Sequence, residues 1–151
     1  MQSMFEANQG TAWAYADDDW SNKLNQVFSD LFRTDVIVLP VSTGTVANSI
    51  GLATVTPPWG SVFCHSGAHI YGDECGAPEF FGDGLRLVPV EGNNGKLEPS
   101  AIEKAVRAKE GHGVHSYKPT ALSLTQATEA GSIYSIDEVH ALCDAAHAMS
   151  M

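Results

Sequence analysis

Apolar positions recur along this chain in alternating helical and strand-like rhythms. Over residues 20–32, Trp20, Leu24, Val27, Phe28, Leu31 and Phe32 stand three and four apart, the spacing of one helical face. Asp17, Asp18 and Asp19 precede it, where carboxylates accept from the free amides and suit the positive end of the helix dipole. Val36-Ile37-Val38-Leu39 is a short, continuous β-branched and apolar run, which predicts a strand buried on both faces. A Thr-Gly-Thr turn then leads into a helix expected over 46–54, with Ala47, Ile50 and Gly51 inward and Pro57-Pro58 ending it.

The same alternation continues. Residues 61–64 predict a second strand, and 68–81 a segment helical at its start, interrupted by Gly72, Gly76 and Pro78. Residues 85–90 predict a third strand, closed by the turn Gly92-Asn93-Asn94-Gly95. After Glu98-Pro99 comes an amphipathic helix with Ile102, Ala105 and Val106 on one face, closed by Gly111 and Gly113. Residues 121–125 predict a fourth strand. Ser135-Ile136-Asp137-Glu138 has the capping-box pattern, opening a helix with Val139, Leu142, Cys143 and Ala146 along one side. Strands alternating with crossovers of this length predict an α/β fold with a mostly parallel sheet and flanking helices. The last helix ends at Met151, where the alternation leads one to expect a further strand.

Composition narrows the class. The chain has 151 residues, 44% hydrophobic and 17% charged, with neither repeat nor linker-like stretch, and reads as one globular unit. Eight basic against eighteen acidic residues give a formal charge of -10, which disfavours a nucleic-acid partner. No apolar run approaches the ~20 residues of a membrane span, and residues 1–6 have no signal-peptide pattern. Three cysteines without CxxC spacing suggest reduced thiols, so the cytoplasm is the expected compartment.

Three polar stretches follow predicted strands. Ser42-Thr43-Gly44-Thr45-Val46-Ala47-Asn48 opens a helix, where free amides and the Thr43 and Thr45 hydroxyls can surround a phosphate; small polar residues are also simply good helix starters. In the second stretch, residues 64–79, His69 leaves the carboxyl end of a strand, the edge at which ligands bind in parallel sheets. His65 and His69 are four apart, but Gly67 argues against one helix carrying both, and no metal site is expected. His112, His115, His140 and His147 read as surface residues. The third stretch, residues 122–131, again runs from a strand into a polar loop. Three such ends on one edge suggest a single pocket. A generic nucleotide-binding domain is disfavoured, for neither Gly-x-Gly-x-x-Gly nor a Walker-type Gly-Lys-Ser/Thr occurs.

These stretches also carry a resemblance. Tyr15-Ala16-Asp17-Asp18-Asp19, residues 42–48, residues 68–79, Gly95-Lys96-Leu97-Glu98-Pro99 and residues 122–135 occur in the order of the N-terminal part of the threonine aldolase / aromatic amino acid β-eliminating lyase family. These are pyridoxal-phosphate enzymes of the aspartate-aminotransferase-like fold. The resemblance implies that Thr43, Gly44 and Thr45 hold the cofactor phosphate and that His69 stacks on the pyridine ring. It implies that Glu74 lies near the substrate and serves proton transfer, and that Tyr15 stands beside an active site shared across a dimer interface. The implied reaction is Cα–Cβ cleavage of a β-hydroxy amino acid, threonine giving glycine and acetaldehyde. The family also hosts β-elimination, and the sequence does not separate the two.

The resemblance also implies what is missing here. The family's Schiff-base lysine and the carboxylate pairing with the pyridinium belong to strands expected beyond Met151, after an Asp-Gly-Ala-Arg-like segment. Lys23, Lys96, Lys104, Lys109 and Lys118 match no such position, and Thr128 stands near the place of a loop histidine found in some members. A segment is also expected before the helix that residues 1–8 continue. Residues 1–151 are thus expected to be a single partial large domain, truncated at both ends and without the small C-terminal domain. The full-length form is expected to be a dimer or tetramer acting on a small amino acid. The alternative is a non-catalytic truncated relative, or a phosphate-ligand-binding module needing a partner chain. Exposed apolar surface would then favour self-association.

Overall fold

The computed structural model describes residues 1–108 and 113–151, so Lys109, Gly111 and His112 lie outside the described residues. The chain forms two compact units, Met1–Pro40 and Val41–Met151.

In the first unit, α1 (Gln2–Ala7) is followed by α2 (Ser21–Phe32). The expected carboxylate cap is present. Asp18 Oδ1 accepts from the Trp20 and Ser21 amides at 2.9 Å, and Oδ2 accepts from the Ser21 hydroxyl at 2.6 Å. That hydroxyl bond, and then the Ser21 amide, hold the Asp18 carboxyl below its usual range. The strand expected at Val36–Leu39 does not form. The Val36 and Val38 amides donate to Ser29 Oγ and Asn25 Oδ1 on α2, and Ile37 and Leu39 are exposed. A strand exists only with a ladder partner, and the described residues offer this segment none.

The second unit is a layered α/β structure. Helix α3 (Gly44–Val55) precedes β1 (Gly60–His65), then come α4 (His69–Gly72), α5 (Ala77–Phe81) and β2 (Arg86–Val90). Helix α6 (Pro99–Arg107), β3 (Lys118–Leu122) and α7 (Ile136–Ala148) complete it. The sheet order is β2-β1-β3, with both pairs parallel. β3 therefore lies earlier than the 121–125 expected, although the Ser123 amide still reaches the Phe63 carbonyl.

Alternation along β1 divides the core. Phe63 points into a cluster with Val90, Leu97, Ile102, Val106, Tyr134 and Leu142, covered by α6 and α7. Val62 and Cys64 point to the opposite face with Ala68, Ile70, Leu85 and Leu87. The expected inward residues of α6 hold, and the Ser135–Glu138 capping box is formed in both directions. Cys143, expected on the inward side of α7, is exposed; Leu142 and Ala146 carry the buried stripe.

Helix α3 departs most from expectation. Ala47, Ile50 and Gly51 face outward, and Ser49 is its buried residue, with Asn48 and Leu52 partly buried. Thr45, Asn48, Ser49, Leu52 and Thr56 form the inward stripe. Its spacing is helical, but four of its five members are polar, so apolar periodicity selects the wrong face.

Burial pushes the Cys64 thiol from 9.0 up to about 11, with the Glu79 carboxylate adding to it. The folded state therefore binds this proton more tightly than the unfolded chain. The resulting stability is present below pH 9 and lost as pH rises through about 11. The loss amounts to about 2–3 kcal/mol. Tyr134, also raised by burial, acts with the same sign. Urea unfolding on either side of this window should show the loss, and Cys64→Ala should remove the thiol's share.

Candidate active site

All strands being parallel, the carboxyl ends of β1, β2 and β3 share one edge; His69 and Glu74 lie on the connection leaving β1, while Thr43, Gly44 and Thr45 stand at the start of α3, ahead of β1. After β1 the chain passes through α4 and then through two left-handed residues, Cys75 (φ 55°) and Gly76 (φ 73°). This reversal separates α4 from α5 within residues 68–81, the segment expected to be helical at its start and interrupted by Gly72, Gly76 and Pro78. Glu74 stands just before it, with its side chain 1% exposed.

Glu74 joins the first two polar stretches. Its Oε1 accepts from Asn48 Nδ2 at 2.7 Å and lies 3.1 Å from His69 Nδ1. Its Oε2 is buried with no hydrogen-bond partner, as are Ser49 Oγ and Thr56 Oγ1. His69 itself is half-exposed, so one edge of the imidazole is pinned while the ring remains accessible. A buried carboxylate held on one oxygen by two side chains from different elements is costly unless its partners are fixed.

At the start of α3, Thr43 caps the helix, its Oγ1 accepting from the Val46 amide at 3.2 Å. Val46 is thereby withdrawn from the set of amides expected to receive a phosphate. Gly44 and Thr45 remain as first-turn donors without intrahelical acceptors, and the Thr43 hydroxyl hydrogen is still free to donate. A Cβ at Gly44 would meet nothing within 4 Å, so the approach to these amides is open.

The third stretch closes on the turn after β2 rather than on Glu74. Buried Thr128 donates to the Asn94 carbonyl at 3.2 Å, and Ser132 Oγ donates to the same carbonyl at 2.7 Å. His65 also ties to this turn. Its Nε2 reaches the Gly92 carbonyl at 3.0 Å, while Nδ1 accepts from the Gly67 amide at 3.0 Å. Both ring nitrogens are thus engaged by backbone, leaving His65 without a lone pair for a metal ion. Close approach requires glycine at position 92, where a Cβ would collide with the Lys96 carbonyl.

Tyr15 belongs to the first unit, fully exposed and with φ 66°. His115, His140 and His147 are exposed, as expected. Lys96 binds the Glu138 carboxylate at 2.8 Å and lies over the Tyr134 ring, and Lys23 lies over Trp20. No described lysine pairs with Glu74. A cavity of about 650 Å³, lined among others by Phe63, Tyr71, Arg86, Pro89, Tyr117 and Pro119, contains none of the candidate site residues. The role of Asn48 was not visible from sequence. The residue lies in the quoted motif, but nothing in the spacing says that a carboxylate 26 positions later will meet it.

The second unit is a parallel α/β layer carrying a buried carboxylate paired with an accessible imidazole beside a helix start. Over residues 1–151 the chain matches the model of the beta-eliminating lyase family, and it belongs to that family. It is 41% identical over 140 residues to the low specificity L-threonine aldolase of Pseudomonas aeruginosa, covering 93% of this chain and 40% of that protein. The probable low-specificity L-threonine aldolase of Schizosaccharomyces pombe is 28% identical over 137 residues, covering 90% and 35%. The chain thus spans about two fifths of the length of the curated relatives it matches. Its fold matches that of the Leishmania major threonine aldolase with a TM-score of 0.88 at 24% identity, over 99% of this chain and 43% of that one.

Proposed function

We propose that this chain is the cofactor-binding part of a pyridoxal-phosphate lyase of the threonine aldolase type, which cleaves the Cα–Cβ bond of a β-hydroxy amino acid. The observation that carries the reading is the Asn48–Glu74–His69 contact, which joins the helix start suited to a phosphate with an accessible imidazole. The similarity to two-fifths of the Pseudomonas enzyme supports it.

The residues present fit the group. The Gly44 and Thr45 amides and the Thr43 and Thr45 hydroxyls would bind the phosphate, favoured by the positive end of the α3 dipole. His69 would lie against the ring. When bound, the cofactor supplies an electron sink for the charge that develops at the substrate α-carbon. Glu74 holds the His69 ring in one orientation and excludes water from its pinned edge. The pair handles the proton of the substrate hydroxyl as the bond to the leaving aldehyde breaks. Assembly as a dimer or tetramer, with Tyr15 contributed at the interface, and a cytoplasmic location complete the reading. Among the described residues no helix is long and apolar enough to cross a membrane.

The test is to incubate the polypeptide carrying this sequence with pyridoxal phosphate and L-threonine. Glycine and acetaldehyde in equal amounts are the expected products. Ammonia and 2-oxobutanoate would instead mark β-elimination. The second reading is a chain that binds the cofactor without turning substrate over; no described lysine forms an ion pair with Glu74 at the site. Reversible binding with neither set of products would establish it. Under either reading, Thr43→Ala should weaken pyridoxal-phosphate binding about tenfold through one lost phosphate donor. Absorbance titration, with inorganic phosphate as competitor, measures this.

A further inference from the structure

We infer that Asn48 is a positioning residue, which by clamping the Glu74 carboxylate holds His69 in the tautomer protonated at Nδ1 and leaves Nε2 as an acceptor. The geometry argues this atom by atom. Asn48 Nδ2 and His69 Nδ1 converge on one oxygen, Glu74 Oε1, at 2.7 and 3.1 Å. An ionised carboxylate only accepts, so both approaching nitrogens must donate. Oε2 is buried without a partner, and whether or not it carries a proton, Oε1 is the acceptor for both nitrogens. The imidazole therefore carries its hydrogen on Nδ1, and the choice at one ring nitrogen sets the other.

His65 supplies the contrast within the same molecule. Its Nδ1 accepts from the Gly67 amide, so its hydrogen sits on Nε2 and points to the Gly92 carbonyl. Two histidines four residues apart are thus held in opposite tautomers, one by backbone and one by a side-chain clamp. Solvent-exposed imidazoles favour the Nε2–H form, and half-exposed His69 would revert to it without the clamp. Asn48 decides the orientation because it is the only second partner of Glu74 among the described residues. With its amide removed, the carboxylate is free to turn and share its two oxygens with water. The functional meaning is that the accessible edge of His69 accepts a proton rather than donating one, and it rests on the reading of His69 as a site residue.

The test is read on the 151-residue chain itself, with neither substrate nor cofactor added. Absence of threonine cleavage would therefore leave it standing, and a wrong tautomer would overturn it without touching the lyase reading. Histidine-labelled protein is studied by two-bond proton–nitrogen correlation in alkaline buffer, where imidazoles are neutral, with His65→Gln and His69→Gln assigning the signals. The wild type should show His65 protonated at Nε2 and His69 at Nδ1. Asn48→Ala should lower the His69 ratio of Nδ1–H to Nε2–H about tenfold, the size of one hydrogen bond to a charged group. Asn48→Asp, of the same shape but opposing Glu74 with like charge, should lower it at least as far. His65 should keep its tautomer in both, which a general loosening of the fold would not allow. A wild-type His69 protonated at Nε2 overturns the inference, as does an unchanged ratio in whichever of the two variants retains its helical signal.

Discussion

Glu74→Ala should lower threonine cleavage by the polypeptide carrying this sequence about 10²–10⁴-fold, the range of a lost proton-transferring pair. The expectation follows from the proposed lyase reading and from the burial of this carboxylate. Removing it leaves the Asn48 amide without its acceptor and frees His69 to rotate about its own side-chain bonds. A ring that samples several orientations presents its nitrogen to the substrate hydroxyl only part of the time. The loss should therefore fall mainly on kcat, because the first turn of α3, which would hold the phosphate, is not touched. Steady-state kinetics with L-threonine, beside a pyridoxal-phosphate titration, separates the two effects. A variant that binds the cofactor normally and retains full kcat would remove Glu74 from the reaction.

Phe63→Ala should destabilise the fold by about 3–5 kcal/mol, a large part of the 5–15 kcal/mol typical of a domain. β1 is the central strand, and Phe63 lies in register with Val88 on β2 and Leu122 on β3. Its side chain, 1% exposed, meets residues of both α6 and α7. Truncation opens a cavity at the junction of three strands and two helices, where no single element can move to refill it. Ile50→Ala is the matched comparison. Apolar periodicity would put Ile50 in the core, yet it is 49% exposed, and its truncation should change stability by no more than about 0.5 kcal/mol. Urea unfolding of both variants measures the contrast. A cost at Ile50 approaching that at Phe63 would show that α3 buries the other face.

Much of this was legible in the chain. The periodicity of residues 20–32, the short largely apolar runs before His65 and Val90, and the Ser135–Glu138 box each state a local preference that no neighbour contradicts. Their alternation determined the parallel α/β layer, and the order of the polar stretches carried the family resemblance. The start of α3 lay within a stretch of small polar residues read as good helix starters, although the helix begins at Gly44 rather than Val46. The family resemblance put Glu74 and His69 at one site, and the structure brings them to 3.1 Å.

Three matters were decided only in three dimensions. Val36–Leu39 has the composition of a buried strand, but a strand needs a neighbour's carbonyls, and α2 side chains took its amides instead. Helix α3 turned its polar stripe inward, where Asn48 meets the buried Glu74 carboxylate between α4 and α5. Asn48 acquired its role only when folding brought Glu74 to it. Hydrophobic spacing reports which residues leave water, whereas the partner of a buried polar group is set by whichever donor the tertiary fold delivers within hydrogen-bond reach.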